Sequence, residues 1–417
     1  MNCLGFIAHG SELTMNKGII KALCAAGLLN FACIAWGQGT DMPTAVAKVS
    51  TLFKRLASAP PSDMGQLEGW AAEYVAATDA AARTAVLNKV AAAAVEVDTF
   101  YSRTVMNFAD PETNEGEELL SRNLSDYTAL IIGFIRDELD YRRILFDDIM
   151  YVPSPGLGLP AYQDTNNDAF EQLESLVIQG QQSLAANLTQ VTQSGTTDYP
   201  IQAGIYSLRG YGSVFYNDGT NRAPFRFTYM NYLCKDVEEV SDVTRPDIYV
   251  RRDVDRAPGG DGEKFRSECV GCHAGMDAQT SAFAFVDFDP DANRITYSDL
   301  PVAKVNRNND TFPSGSAVAD DSWINIWYEG SNANLPWSQS VRQGNGPKSW
   351  GQAMAETGMF PSCMAERVYK VVCLKSPDTQ SAREEISSLA NQFTEDNYNM
   401  KSLFINTAVT CGEGLNF

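Results

Sequence analysis

Cys269-Val270-Gly271-Cys272-His273 is the arrangement in this chain whose residue types and spacing carry a defined chemistry. Two thiols three residues apart can add to the two vinyl groups of a porphyrin, and the adjacent histidine can turn its imidazole onto the iron. The same residues could form half of a zinc site or a redox dithiol. Zinc would need a second CxxC or a histidine cluster to complete four ligands, and neither is present. A thioredoxin-like dithiol would sit in a βαβ pattern, which is also missing. The expectation is one covalent haem c, with Cys269 and Cys272 as thioether anchors and His273 as the proximal iron ligand.

The chain has two histidines, and His9 lies in a segment that export would remove, so His273 is the only imidazole available to the iron. A bis-histidine haem within one chain is thereby excluded. Met359 is the first choice of sixth ligand. It stands 86 residues after His273, in Gly358-Met359-Phe360-Pro361, read as a loop before a helix over 362–373. That arrangement resembles the methionine loop before the last helix of class I cytochromes c. Met354 and Met364 rank behind it, and Met276 further behind, because it follows His273 by only three residues. Any of them could equally be packing material. A filled His/Met pair implies outer-sphere electron transfer, whereas an open position would admit peroxide or small-ligand chemistry. No motif designates the distal acid or base that a peroxidase would use.

Export fits this chemistry. From Met15, Lys17 and Lys21 precede an apolar run over 22–34 and then Ala35-Trp36-Gly37, the parts of a secretory signal over 1–37. The run is interrupted by Asn30 and is shorter than the roughly 20 residues a membrane span requires. Asn30 stands where a lipoprotein signal before Cys33 would carry an aliphatic residue. No later segment is apolar enough to cross a membrane, so the expected location is periplasmic or at the outer surface of a bacterial cell. The formal net charge of −20 disfavours nucleic acid and anionic membranes as partners and suits solubility or a basic partner. The expected partner is a redox protein.

Of nine cysteines, Cys3, Cys24 and Cys33 leave with the leader and two belong to the CxxCH. Cys234, Cys363, Cys373 and Cys411 remain, an even number suited to disulfides in an oxidising compartment. If 361–373 is helical, Cys363 and Cys373 lie about 15 Å apart along it, too far to bridge. Either 234–363 pairs with 373–411, or 234–373 with 363–411.

The elements read as mainly α: a helical domain over 38–151, a loop-rich region with short strands over 152–240, and a mono-haem cytochrome c-like domain over 241–417. Val46, Val49, Leu52, Phe53 and Leu56 recur at helical spacing, ending before Pro60-Pro61, as do Val86, Val90, Ala94, Val97 and Tyr101. A third helix is expected to run through Ile131, Ile135, Leu139, Ile144 and Ile149, with Asp137-Glu138 and Arg142-Arg143 on solvated faces. A polar helix near 170–183 and a small hairpin within 199–233, with β-like runs such as 203–208, follow. A strap over 241–262 then leads into the motif. Ser381-Ala382-Arg383-Glu384 reads as a capping box before Ile386, Leu389 and Phe393, and a last helix carries Met400, Leu403, Phe404 and Val409. Asp164, Asn166 and Asp168, and likewise Asp287, Asp289 and Asp291, alternate like calcium loops. Ala169 and Ala292 replace the required glycine, so both read as solvated turns.

Gly262-Glu263-Lys264-Phe265-Arg266-Ser267-Glu268, running into the motif, resembles the first helix of class I cytochromes c, which implies a core Phe265 and a close-packed Gly262. More broadly, from Tyr199 onward the chain resembles planctomycete-type cytochrome c proteins, in which largely uncharacterised domains surround one CxxCH. The resemblance is carried by 203–205, by Asn221-Arg222-Ala223-Pro224-Phe225-Arg226, by Tyr232-Leu233-Cys234, and by Cys269-Val270-Gly271-Cys272-His273-Ala274-Gly275-Met276-Asp277. Ala282-Phe283-Ala284-Phe285, Gly351-Gln352-Ala353-Met354-Ala355, Cys363 and Arg367-Val368-Tyr369 complete it, with Asp137-Glu138-Leu139-Asp140-Tyr141-Arg142 upstream. The chain departs from that pattern at Ala278-Gln279-Thr280-Ser281, where glycine is common, and at Asp168-Ala169-Phe170, where His-Tyr is common. The resemblance implies export and haem binding more than any particular reaction. Electron carriage is the leading expectation; a haem peroxidase or oxidase, and a surface-binding protein with a structural or sensory haem, are the rivals.

Overall fold

The structure, a computed structural model, describes residues 40–110 and 123–413. The leader reading over 1–37 falls outside them. The described chain is mainly helical, 57% helix against 7% strand, as expected from the helical periodicities. Asp41 accepts the Thr44 N–H and opens α1 (Met42–Ala57), which Ser58 ends in the left-handed region at φ 51°. Asp63 and Asp79 cap α2 (Met64–Ala76) and α3 (Ala80–Ala94) in the same way. A wide helical turn over 100–105 leads into the short α4 (Met106–Ala109), and a Ser125 capping box starts α5 (Asp126–Arg136).

The third N-terminal helix stops thirteen residues short of Ile149. Glu138 takes φ 54°, the chain makes a tight turn over 141–145, and β1 (Met150–Pro153) follows. Asp137 and Glu138 are solvent-exposed, as expected, while Arg142 and Arg143 are half-buried against Asp140 and Asp147. Glu138 accepts from Lys401 and Asn399, tying the break to the C-terminal helix, and Asp137 accepts from Arg136 and the Tyr151 hydroxyl. Gly133 allows the close approach, since a Cβ there would meet the Tyr151 ring at 2.4 Å.

Next come α6 (Asp168–Ile178), β2 (Leu188–Val191), which pairs antiparallel with β1, and a short α7 (Gln193–Thr196). Where a hairpin was expected within 199–233, the chain forms a 3₁₀ turn over Gly204–Ser207, then α8 (Arg209–Phe215) and α9 (Ala223–Leu233). The β-like Gly, Tyr and Phe content misleads because these rings fill a core instead of pairing on a sheet: Tyr206, Tyr211, Tyr216, Phe225 and Tyr229 are all buried. Gly204, at φ 57°, lies where a Cβ would strike the Ile144 carbonyl.

Beyond the strap lie α10 (Gly262–Lys264), α11 (Val270–Thr280), the β3–β4 hairpin (Val286–Asp289 with Arg294–Tyr297) and the β5–β6 pair (Ser322–Ile324 with Gln343–Asn345). Asp287 pairs with Lys304, and Asp289 caps its own turn through the N–H groups of Asp291 and Ala292. The chain closes with α12 (Gly346–Ala355), α13 (Met359–Cys373), α14 (Gln380–Glu395) and α15 (Met400–Glu413). The cap of α14 is Thr379, two residues before the expected Ser381. α15 packs on α1 and α3, and α13 on α9, α14 and α15, so the C-terminal helices complete the core begun by the N-terminal ones. The described residues from Asp41 onward form one compact unit. No described helix is long and apolar enough to cross a membrane.

Cys363 and Cys373 both lie on α13, ten residues apart, as the helical reading required. The structure joins Cys234 to Cys363 and Cys373 to Cys411, with Cα separations of 5.1 and 5.7 Å. This is the first of the two pairings left open by the sequence.

Candidate functional site

The motif is presented by a helix that is otherwise inside the protein. Asp261 caps its start, accepting from the N–H groups of Glu263 and Lys264. The chain then makes a wide turn over 265–269 and continues as α11. Within α11 every residue is buried except Cys272 and His273, and Cys269, immediately before it, is also partly exposed. At 3.6 residues per turn, positions 269, 272 and 273 share one side of a helix. The window through which this helix meets solvent is therefore the CxxCH itself.

The two residues between the cysteines explain how the window stays open. Val270 is buried in a small satellite core with Val250, Val254, Phe265 and Ala274, against which Cys269 packs. Gly271 lies under the strap: a Cβ there would come 2.2 Å from Ser241 Oγ, and its carbonyl accepts the Asp242 N–H at 2.9 Å. Gly275 is pressed equally hard, its place for a Cβ lying 2.1 Å from the Trp327 ring. The expected close-packed Gly262 is not one, because a Cβ there would meet nothing nearer than 3.5 Å. Phe265 is core as expected, but in the satellite cluster, with Arg256 4.8 Å over its ring.

Neither motif cysteine is in a disulfide. Cys272 packs against the main core with its Sγ 3.7 Å from the Val237 carbonyl. Burial raises its thiol pKa above the ordinary value, partly offset by a hydrogen bond from Ser241. That is opposite to the depressed thiolate of a redox dithiol.

The His273 side chain is 26% exposed, yet its Nδ1 is buried and makes no hydrogen bond. Facing it at 3.4 Å is Oδ2 of Asp277, one turn further along α11 and completely buried. Asp277 is gripped by Arg222, whose Nε and Nη2 donate at 2.7 and 3.0 Å, and it also accepts the Arg251 backbone N–H at 3.0 Å. Arg222 reaches Asp253 as well, at 2.7 and 2.8 Å. Burial pushes the Asp277 carboxyl upward. The Arg222 charge, the His273 contact and the Arg222 hydrogen bonds outweigh it and hold Asp277 far below the ordinary carboxylate range. Burial lowers Arg251 to about 10, so it stays protonated at neutral pH. Its guanidinium donates to Thr220 O and Thr280 Oγ1, both at 2.6 Å.

A cavity of about 570 Å³ begins one turn beyond His273, bordered by Asp277, Ser281, Tyr249, Asp320, Trp323 and Asn345. Neither cysteine lines it, nor does His273.

Met359 is not in a loop. It is the first residue of α13 and is buried in the main core, the same cluster that holds Met276, Met354 and Met364 and against which Cys272 packs. The Gly358 N–H donates to the Pro336 carbonyl at 2.7 Å and sets the entry to that helix.

Asp277 and Arg222 escaped the sequence reading as site residues. A signal was present for the first: an acidic residue four positions after the histidine on a helical stripe.

No family model, curated protein or solved structure matches this chain.

The residues fit a c-type haem on two counts: two unpaired thiols share an open side of the helix with the histidine, and the imidazole has its Nδ1 turned inward against a carboxylate.

Proposed function

We propose that the protein is an exported mono-haem c-type cytochrome that carries electrons between periplasmic or surface redox partners. Cys269 and Cys272 anchor the haem, His273 is its proximal ligand, and Met359 is the proposed sixth ligand. The observation that carries the reading is the exposure of α11: its buried length opens to solvent only at the motif, with both thiols unpaired. The raised Cys272 thiol weighs against a redox dithiol. The resemblance to planctomycete-type cytochromes c supports the same assignment. Bound there, the haem would supply a one-electron couple, and the protein's part is to anchor it, ligate it and tune its potential.

A second reading is a haem enzyme with an open sixth position. The spectrum of the purified protein separates the two. A methionine–iron charge-transfer band that is lost in Met359→Ala supports electron carriage with Met359 as ligand. High-spin iron that binds cyanide readily counts against it.

A further inference from the structure

We propose that Asp277 is the positioning residue of the iron ligand His273, fixing the tautomer of its imidazole and lowering the reduction potential of the iron it holds. The inference rests on the haem reading above and adds what faces the histidine from behind.

The carboxylate cannot turn away. One oxygen receives Arg222 Nε, and the other receives Arg222 Nη2 and the Arg251 N–H. Arg222 is itself fixed by Asp253. Asp277 is thus a buried, ionised group that can only accept. The third approach to Oδ2 is Nδ1 of His273, at 3.4 Å, longer than the usual N–H···O hydrogen bond. At that distance the interaction is between a charge and a bond dipole, and its sign still selects one arrangement. A lone pair on Nδ1 would face a full negative charge in a buried setting, whereas an N–H would be attracted to it. Nδ1 has no other partner to favour the opposite choice. The proton therefore sits on Nδ1, and Nε2 keeps the lone pair that a metal requires.

The consequence for the metal follows from the same charge. A ligating histidine whose other N–H faces a carboxylate is a stronger base, and it stabilises the more highly charged ferric state. Arg222 limits the effect by drawing on the same carboxylate, so Asp277 supplies a screened charge and not a bare one.

Two measurements test this separately from haem attachment. In the full chain carrying His9→Gln, without haem, nitrogen-15 correlation spectra of the remaining histidine should show the Nδ1-protonated tautomer. A ring protonated at Nε2 overturns the proposal, and Arg222, His273 and Asp277 are unchanged in this variant. In the haem-loaded protein, Asp277→Asn should keep covalent haem and raise the potential by at least a tenfold change in the ferric–ferrous equilibrium, about 59 mV for one electron. Asp253→Asn, which alters the same arginine without touching His273, should shift it less. Equal shifts, or none in Asp277→Asn, overturn the proposal. A wild-type protein without covalent haem would instead sink the haem reading and leave the tautomer result standing.

Discussion

Replacing Arg222 by Met should cost about 3–5 kcal/mol of stability at neutral pH, the range for breaking a buried ion pair by removing one partner. The geometry sets where in that range to look. The Asp277 side chain has no solvent exposure and Asp253 is 11% exposed, so two carboxylates lose their partner. Arg222 itself is 20% exposed, and Arg251 still presents its N–H to Asp277, which places the loss toward the lower end. The sign with pH is fixed by the depressed Asp277 carboxyl. Its contribution is fully present above the unfolded value near 3.9 and declines as pH falls below it. The unfolded carboxylate cancels in the gap between wild type and Arg222→Met, which should therefore shrink in acid once Asp277, left buried without its arginine, takes up a proton in the variant. Guanidinium unfolding followed by circular dichroism at several pH values reads both quantities. The double variant Arg222→Met/Asp277→Asn should recover part of the loss, because the fully buried Asp277 charge is removed and only Asp253 is left without its arginine. A loss below about 1 kcal/mol, or a gap that widens in acid, would refute this account of the cluster.

Gly271→Ala should cost about 1–3 kcal/mol by overpacking against Ser241, and Ser241→Gly should relieve much of it; a denaturant double-mutant cycle checks the coupling. Cys272, its thiol raised by burial, should react with iodoacetamide at pH 8 more slowly than a free thiol in the haem-free chain, as peptide mass mapping would show. Removing the Cys234–Cys363 bridge, which closes 129 residues, should destabilise by about 5 kcal/mol on chain entropy, against about 4 for Cys373–Cys411, which closes 38. Reversal of that order in unfolding midpoints of the Cys→Ser pairs would contradict the entropic assignment.

The motif and the outline of the helices were legible in the sequence because both are local signals. Val46 to Leu56 and Met400 to Val409 show their buried stripes within one element, and the CxxCH contains its own chemistry. The short third helix was not legible, because Ile144 and Ile149 continue the apolar spacing while the turn at Glu138 is held by Lys401, more than 260 residues away. The aromatic segment over 203–233 failed for a related reason: its rings are buried against one another and against Phe283 and Trp350. Strand-like composition cannot reveal that. At the site, Asp277 stands one helical turn after the histidine, but Arg222 lies 55 residues from that carboxylate in sequence and only the fold brings it there.

Covalent attachment of the haem is the claim on which the rest depends, and acid–acetone extraction tests it most directly. The full chain should be expressed in a bacterium with a cytochrome c maturation system and extracted beside its Cys269→Ala/Cys272→Ala double variant. Wild type should retain one haem per chain in the protein pellet, with the alkaline pyridine spectrum of two thioether bonds, and the double variant should retain none. Complete loss of haem from wild type into the solvent would contradict the assignment of α11 as a haem-bearing helix.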